Sequence, residues 1–413
     1  MNVLHVIADM DPVKGGVCQA VRTIIIGLSK QGVYSEVVSL DSPKASFLSK
    51  ETAKIHALGP GTGSWQYSSN LLPWLQNNLS RFDKILVHGL WLYPGYAVSK
   101  SLKQLRKDLP LAVPHLFVMP HGMLDPYFQK AEGRRWKALR NVLYWNAIES
   151  KLIHQAEALL FTCETERLLA HEPFTSYRPR REFVVSLGVE AAPICSSNMR
   201  VAFLAKCRGL QLRPYLLFLS RIHEKKGVEL LIQAYAQTYN DFAAAVVPDT
   251  AKVSSTDDSS GKTPAFPALV IAGPGLDTDY GQRMYQLAAD LTAPGAVFFP
   301  GMLTGDAKWG AFYGCEAFVL PSHQENFGIA VIEAMACQQA VLISNQVNIW
   351  REIKSTGSGM VASDTLQGTK YLLESWSRLT DTEKATMRKN SYSTYHELFD
   401  VSLASTRMRA ALQ

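Results

Sequence analysis

Two carboxylates, Glu325 and Glu333, lie eight positions apart where an apolar run gives way to a polar loop and then to helical spacing. The run Ala317–Leu320 predicts a buried strand, and the residues from Phe327 onward predict a helix that is buried on nearly every side. An ionised glutamate is almost never left unpaired in such surroundings, so Glu333 requires a partner. The spacing allows both carboxylates to face one crevice.

The start of this predicted helix is a candidate anion site. The first N–H groups of a helix have no carbonyl partner within it, and together with the helix dipole they favour an anion such as phosphate. Here they belong to the successive residues Asn326, Phe327, Gly328 and Ile329. Carboxylates beside an anion site suit a ligand that carries both hydroxyl and phosphate groups, as a nucleotide sugar does. For either glutamate alone, a capping or salt-bridging role remains the alternative.

The whole string 321–336 resembles the E-x(7)-E signature of glycosyltransferase family 4, whose members are retaining enzymes of the GT-B fold. It reads P-S-H-Q-E-N-F-G-I-A-V-I-E-A-M-A. The resemblance implies an α/β chain with two facing Rossmann-like domains, an interdomain cleft and a C-terminal helix that crosses back to the first domain. It also implies that Glu325 contacts the donor sugar and that Glu333 contacts the ribose hydroxyls.

Two histidines follow predicted strands, where ligands bind in parallel α/β sheets. His121 lies in a segment similar to the family motif H-G-M-L-x-P, which implies a contact with the donor sugar rather than a role as general base. His88 lies in V-H-G-L-W, and a structural role remains the alternative for it. The segment Thr162–Glu166 resembles the family's T-x-x-E strand end, and we expect Glu166 to be structural.

Two cations, Arg221 and Lys226, match the R and K-G positions whose charges hold the donor diphosphate in the family. The chemistry gives an independent reason for cations here. A leaving nucleoside diphosphate gains negative charge as the glycosidic bond breaks, and a guanidinium, an ammonium and helix N–H groups can stabilise that charge without a metal. A surface basic cluster is the alternative.

Two further segments resemble parts of the family's donor site. Gly15 and Gly16 form a loop between a predicted strand and helix, and the resemblance places that loop against the donor phosphate and the acceptor. A simple turn is the alternative. Met302 and Leu303 lie in the segment whose backbone recognises the base in the family, so we expect them to frame the base.

Length and periodicity predict two domains. A chain of 413 residues exceeds what one core usually serves, and alternating strands and helices predict parallel, helix-covered sheets. We expect an acceptor-binding domain over 1–195 that includes a last helix at about 391–413, a linker over 196–212, and a donor-binding domain over 213–390. Residues 248–262 are rich in Ser, Thr and Asp and predict a flexible surface insertion.

Composition limits the remaining functions. Apolar residues make up 47% and charged residues 19%, as in an ordinary globular protein, and the net charge of +6 is too diffuse to indicate nucleic-acid binding. Six cysteines without a C-x-x-C pair indicate reduced thiols, and no apolar run is long enough to span a bilayer. We expect a cytoplasmic protein, with peripheral contact at the inner face of a membrane through the basic helix 133–145 as one option and a solvated face as the other.

The resemblance to glycosyltransferase family 4 implies a retaining hexosyltransferase of polysaccharide biosynthesis, and we expect it to be metal-independent. The nucleotide sugar, with UDP-glucose as the expected donor, is its substrate, and the acceptor is a glycan or a lipid-linked oligosaccharide. No cofactor or metal is expected, because the strings Asp9-Met10-Asp11 and Asp277-Thr278-Asp279 are better explained by capping than by metal binding. A nucleotide-sugar epimerase of the same fold and a non-catalytic glycan-binding subunit are the alternatives.

Overall fold

Two parallel β-sheets carry the fold, and each belongs to a separate unit of the chain. The computed structural model describes residues 1–127, 135–250 and 266–413, without the side chains of 14, 135–138 and 245–250. Unit 1 comprises Met1–Glu190 and Leu398–Gln413, and unit 2 comprises Ala191–Glu397. The prediction of two parallel, helix-covered sheets is confirmed.

The sheet of unit 1 has seven described strands in the order β3-β2-β1-β4-β5-β6-β7, and every recorded pair is parallel. The strands are β1 (Asn2–Val6), β2 (Tyr34–Ser39), β3 (Lys54–Ala57), β4 (Lys84–His88), β5 (His115–Met119), β6 (Ala158–Phe161) and β7 (Glu182–Val184). The helices before the second unit are α1 (Gly16–Ser29), α2 (Leu71–Asn78), α3 (Tyr93–Asp108), α4 (Arg135–Tyr144), α5 (Ser150–Gln155) and α6 (Glu164–Leu169), with a π-helical segment, Trp145–Glu149, between α4 and α5.

Both faces of this sheet are buried. Val37 packs in one apolar cluster with residues of α1, and its neighbour Val38 packs in a second, larger cluster with residues of α2, α3 and α5. Successive side chains of a strand point to opposite faces, so the two valines belong to two layers. Burial on both faces explains why the strands appear in the sequence as continuous apolar runs rather than as alternating patterns.

The sheet of unit 2 has six described strands in the order β10-β9-β8-β11-β12-β13, again parallel. They are β8 (Tyr215–Leu219), β9 (Ala268–Ala272), β10 (Val297–Gly301), β11 (Ala317–Leu320), β12 (Val341–Ser344) and β13 (Gly359–Ala362). The helices are α7 (Ser197–Lys206), α8 (Val228–Thr250), α9 (Asp279–Leu291), α10 (Gly305–Gly314), α11 (Ile329–Ala336), α12 (Trp350–Thr356), α13 (Leu366–Arg378) and α14 (Asp381–Thr394).

Three segments differ from the sequence-based expectation or lie partly outside the described residues. The stretch 196–212, expected to be a linker, contains α7, because Met199 and Phe203 are buried on one side of this helix. Helix α8 continues to Thr250 and so includes the first residues of the expected insertion, of which 251–265 lie outside the described residues. Residues 133 and 134 of the basic helix also lie outside them.

The end of the chain returns to unit 1 as a separate helix. Helix α14 ends at Thr394, a π-helical segment covers Tyr395–Phe399, and helix α15 (Val401–Ala411) packs against α1. The contact is close: a Cβ added to Gly27 would lie 1.7 Å from Oγ of Ser405. The expected single helix over 391–413 is therefore two helices.

Helices α7 and α10 approach each other closely within unit 2, and this generates a prediction. A Cβ on Gly310 of α10 would lie 2.0 Å from the carbonyl oxygen of Met199, which is backbone and cannot move aside alone. We expect Gly310→Ala to lower the free energy of unfolding by about 1–3 kcal/mol, as overpacking in a close-packed interior does. Urea-induced unfolding measures the change.

Gly16→Ala is the matched control. Its Cβ would meet no atom within 4 Å, and its position at the start of α1 suits alanine, so stability should stay within about 0.5 kcal/mol of the parent. Equal stability of the two variants would show that α7 and α10 can separate without cost.

Candidate functional site

The sheet of unit 2 has a topological switch point between β8 and β11. From β8 the chain adds β9 and β10 on one side, and it then returns to add β11, β12 and β13 on the other. The loops that follow β8 and β11 therefore leave in opposite directions, and ligands of open parallel sheets bind beyond the carboxyl ends of the strands at such a point.

The loops after β8 and β11 are in close contact at Gly227. This residue has a left-handed backbone (φ 66°), and a Cβ there would lie 2.0 Å from the carbonyl oxygen of Pro321. The carbonyl oxygen of Lys225 accepts hydrogen bonds from the backbone N–H of His323 at 2.8 Å and from the hydroxyl of Ser322 at 2.9 Å. Only glycine lets the loops approach this closely, so the K-G pair has a structural reason as well as a chemical one.

Lys226 and Glu325 form an ion pair at this junction. Lys226 retains only 9% of its surface, so its charge requires the partner that Glu325 provides. Glu325 is held by its own backbone, which donates to the carbonyl of Gln346 at 3.0 Å and accepts from the N–H of Asn348 at 2.9 Å. The loops after β8, β11 and β12 therefore all position this pair.

Gly328 ends the loop and starts helix α11. Its backbone is left-handed (φ 75°, ψ 59°), and its carbonyl already accepts from the N–H groups of Val331 and Ile332. The N–H groups of Ile329 and Ala330 precede the first intrahelical bond and have no partner within the helix. Helix α11 thus begins at Ile329, two residues later than the start at Phe327 that the sequence predicts, and the anion site at this helix start stays a prediction.

Glu333 points from α11 to Lys308 of α10, whose Nζ lies 2.5 Å from its Oε1. Five neighbours in α11, namely Val331, Ile332, Ala334, Met335 and Ala336, are buried. Burial raises the pKa of the Glu333 carboxyl, and the charge and hydrogen bond of Lys308 offset part of that rise. The expectation that Glu333 needs a partner is confirmed. Lys308 itself was missed, since a lone lysine in a helical pattern usually belongs to a solvated face.

The other predicted residues of unit 2 differ in exposure. Arg221 is exposed and forms no ion pair with any described residue, and Met302 retains 64% of its surface. Leu303 and Phe327 are buried, so Leu303 can contribute to a site only through its backbone. Asn326 is half-buried, and its side-chain oxygen accepts from the amide of Asn348 at 3.3 Å.

The glycine loop of unit 1 leaves open space above its backbone. Gly15 has φ 106°, which favours glycine, and it precedes the first residue of α1. Gly16 has an ordinary backbone, and a Cβ on either glycine would meet no atom within 4 Å. Close packing therefore does not explain Gly16, whereas approach of a ligand to the backbone would.

Three histidines of unit 1 form a row: His5 lies on β1, His88 ends β4, and His121 lies in the turn after β5. Nδ1 of His5 lies 2.9 Å from Nε2 of His88, and Nδ1 of His88 lies 3.0 Å from Nε2 of His121. Burial lowers the pKa of His5 to about 3 and that of His121 to about 4, and it lowers the pKa of His88 well below its usual value. All three rings are neutral at pH 7. The sequence singled out His88 and His121 but not His5.

Glu166 fixes the turn that carries His121. One carboxylate oxygen accepts from the backbone N–H of Gly122 at 2.5 Å, and the other accepts from the N–H and the hydroxyl of Thr162 at 2.7 and 2.6 Å. His121 has φ 52° and Gly122 has φ 79°, so both backbones are left-handed and need this support. The expectation that Glu166 is structural is confirmed.

The described residues form neither a cluster of metal ligands nor a helix that could span a membrane. In that part of the chain, no group of three or more His, Cys, Asp or Glu side chains could hold a metal ion. Thr278 caps α9 by accepting from the N–H of Gly281, and Asp11 caps a 3₁₀ turn by accepting from that of Val13. No described helix combines the length and apolar character needed to cross a membrane.

Comparison with known proteins agrees with this geometry. Residues 210–368 match the family described as glycosyl transferases group 1. The matched segment contains Arg221, Lys226, Lys308, Glu325 and Glu333, and hence both ion pairs of the site. The segment lies within unit 2 and does not include the histidine row of unit 1.

Curated relatives share part of the chain. A D-inositol 3-phosphate glycosyltransferase of Salinispora arenicola is 26% identical over 221 residues, which are 52% of this chain and 45% of the relative. An uncharacterized glycosyltransferase of Methanocaldococcus jannaschii is 28% identical over 145 residues, 35% of this chain and 30% of the relative. The matched part thus spans less than half the length of these relatives.

Solved structures match over the whole chain. The Anabaena protein HepE in complex with UDP and glucose is 17% identical, with a TM-score of 0.70, and covers 100% of this chain and 99% of its own. Sucrose-phosphate synthase of Thermosynechococcus elongatus is 16% identical, with a TM-score of 0.72, and covers 99% and 98%. At these identities the likeness shows the fold, which is the GT-B fold of two Rossmann-like domains.

The pair of Lys308 and Glu333 generates a prediction about stability. Lys308→Ala leaves a buried carboxylate without its cation, which should lower the free energy of unfolding by about 2–3 kcal/mol at pH 8. Without the lysine, the pKa of Glu333 rises further above its unfolded value. The loss is therefore full above the folded pKa and shrinks as the pH falls through that pKa from pH 8 to pH 5, because the carboxyl then takes up a proton. Urea-induced unfolding at both pH values measures it.

The double variant Lys308→Ala/Glu333→Gln is the control, because it removes the buried charge as well. It should recover most of the stability at pH 8 and lose the pH dependence. A loss equal at pH 8 and pH 5 would mean that the effect of the lysine is packing rather than charge.

Proposed function

We propose that the protein is a retaining glycosyltransferase of family 4 that transfers a hexose from a nucleoside diphosphate sugar, with UDP-glucose as the favoured donor. One observation carries the proposal: Arg221, Lys226, Glu325, Glu333 and the start of α11 gather around the switch point of one sheet. Cations and N–H groups match a diphosphate, and carboxylates match hydroxyl groups. The family match over 210–368 and the glycosyltransferase names of the relatives support it.

Binding of the donor would separate one ion pair of the site and add a contact to the other. Lys226 would turn from Glu325 to the diphosphate, and the freed carboxylate would accept hydrogen bonds from the sugar hydroxyls. Glu333 would accept from the ribose, with Lys308 keeping the carboxylate ionised. UDP is favoured because the HepE structure contains UDP and glucose.

Transfer with retention would need no protein base. The bond from the anomeric carbon to the diphosphate oxygen breaks, and the acceptor hydroxyl forms its new bond on the same face of the sugar. The departing phosphate oxygen takes the proton of that hydroxyl. Arg221, Lys226 and the N–H groups of α11 would stabilise the charge that develops on the leaving group.

The acceptor in this proposal is a glycan or a lipid-linked oligosaccharide of polysaccharide biosynthesis. A net charge of +6 favours anionic partners, such as a lipid phosphate at the inner face of the cytoplasmic membrane. Flotation with anionic vesicles, with neutral vesicles as control, tests the membrane contact.

Single substitutions should separate the roles of the two glutamates. Glu333→Ala should weaken nucleoside diphosphate binding, because the ribose loses its acceptor, whereas Glu325→Ala should keep that affinity and mainly lower turnover, because its contact is with the sugar. Loss of a hydrogen bond to a charged group costs about 1.5–3 kcal/mol, roughly 10- to 100-fold in affinity. Calorimetry with UDP and initial rates with UDP-glucose measure the two effects.

Glu229→Ala, on the exposed face of α8, is the control and should change neither. An unchanged UDP affinity in Glu333→Ala would refute the assignment of that residue. Consumption of the donor without any acceptor and without release of free nucleotide would identify an epimerase instead, and donor binding without turnover would identify a glycan-binding subunit.

Transfer should also be independent of divalent metal. In this proposal Arg221, Lys226 and the start of α11 neutralise the leaving diphosphate, so excess chelator should leave the rate unchanged. Lys226→Ala should lower the rate by about 10²-fold or more, since it removes a charge-assisted contact to a group that gains charge in the transition state. Initial rates with and without chelator measure both effects.

Lys225→Ala is the matched control for that variant, because alanine retains the backbone groups through which Lys225 holds the two loops. Its rate should stay within a factor of about three of the parent. Activity that is lost to chelator and restored by manganese would show that an aspartate pair binds metal after all.

A further inference from the structure

The row of histidines in unit 1 continues beyond His5 to a hydroxyl. Nε2 of His5 lies 3.3 Å from Oγ of Ser35, which is on the neighbouring strand β2. The full series is therefore Ser35, His5, His88 and His121, with each contact joining one ring nitrogen to the next group. We call it the Ser–His relay.

Each contact of the relay holds one hydrogen, so the direction of one bond sets all the others. A neutral imidazole carries a proton on one ring nitrogen, which donates a hydrogen bond, and it accepts a hydrogen bond at the other nitrogen. If Ser35 donates to His5, then His5 must donate from Nδ1 to His88, and His88 must donate from Nδ1 to His121. If Ser35 instead accepts, every bond runs the opposite way. The first direction leaves the His121 proton on Nδ1, and the second leaves it on Nε2.

Burial selects between the two directions. Within the part of the chain that the structure describes, the hydroxyl of Ser35 has Nε2 of His5 as its one hydrogen-bond partner, and Ser35 is buried. If the hydroxyl accepted from His5, its own proton would lack an acceptor, and a buried donor without a partner carries the full cost of its desolvation. The hydroxyl therefore donates.

We propose that Ser35, acting through His5 and His88, holds the His121 proton on Nδ1, so that His121 offers a neutral N–H donor. His121 is half-buried, and its Nδ1 has no hydrogen-bond partner among the described residues, so this nitrogen is available to a ligand. Nε2 is occupied by His88. Ser35, His5 and His88 are positioning residues, and His121 cannot act as a general base.

The lowered pKa values of the three rings agree with this arrangement, because a doubly protonated ring would place two donors face to face in the relay. An uncharged donor suits a sugar hydroxyl oxygen. This last step rests on the proposed function, whereas the position of the proton does not.

The long-range ¹H–¹⁵N spectrum of the full chain labelled with ¹⁵N-histidine tests the relay, since protonated and unprotonated ring nitrogens resonate far apart. Signals are assigned from His5→Gln, His88→Gln and His121→Gln. At pH 7 we expect all three rings to be neutral, with the proton on Nδ1. Ser35→Ala should move the two His121 nitrogens toward each other, as a mixture of tautomers does, and Ser35→Thr should restore the parent positions.

Ser39→Ala is the matched control. Ser39 is a buried serine of the same strand whose hydroxyl has no partner among the described residues, so its loss should leave the histidine signals unchanged. A proton on Nε2 of His121, or His121 signals that do not respond to Ser35→Ala, would overturn the relay. Either result is independent of catalysis and so does not depend on the proposed function.

Kinetics test the link to the sugar. Ser35→Ala should lower kcat/KM for the donor roughly threefold to tenfold, the effect of one neutral hydrogen bond, and leave UDP affinity unchanged. Shifted His121 tautomers with an unchanged kcat/KM would overturn the contact between His121 and the sugar. Absence of transfer in the parent protein would refute the proposed function and leave the spectroscopic result standing.

Discussion

The pairing of Lys226 with Glu325 sets constraints on the strand order and the loops of unit 2. Two charges mostly withdrawn from water stabilise a fold only if they meet with good geometry. That meeting requires β8 and β11 to be neighbours, so that their loops begin next to each other at the carboxyl edge of the sheet before they diverge. It also requires Gly227, because any side chain there would collide with Pro321 and hold the loops apart.

The two units handle buried polar groups in different ways. Unit 2 pairs two carboxylates of the candidate site with lysines, Glu325 with Lys226 and Glu333 with Lys308. In unit 1, burial favours the neutral form of His5, His88 and His121, and these three rings contact one another. Paired charges suit the binding of a charged diphosphate, and neutral imidazole rings suit hydrogen bonding to the hydroxyl groups of a sugar. The chemistry proposed for each unit follows from this difference.

The sequence predicts the parts of the fold whose signals are local. Continuous apolar runs such as Ala317–Leu320 locate strands, because strands buried on both faces need apolar residues throughout. Helix α7 was missed, since its short apolar side becomes recognisable only against Gly310 of α10. The residues of the candidate site are likewise predictable only where their signal is local. A motif indicates Glu325 and Glu333, but Lys308, His5 and Ser35 become visible only when distant segments are brought together.

Helix α15 has a consequence for biosynthesis. The ribosome releases unit 2 as one uninterrupted stretch, Ala191–Glu397, whereas unit 1 needs Leu398–Gln413 to complete it. Until α15 emerges, the surface of unit 1 around Ile24 and Gly188, which Val401 and Met408 cover in the finished protein, stays open. Unit 2 can therefore finish folding first, although the chain is made from the other end. During that interval the nascent chain presents an apolar surface of the kind that chaperones bind.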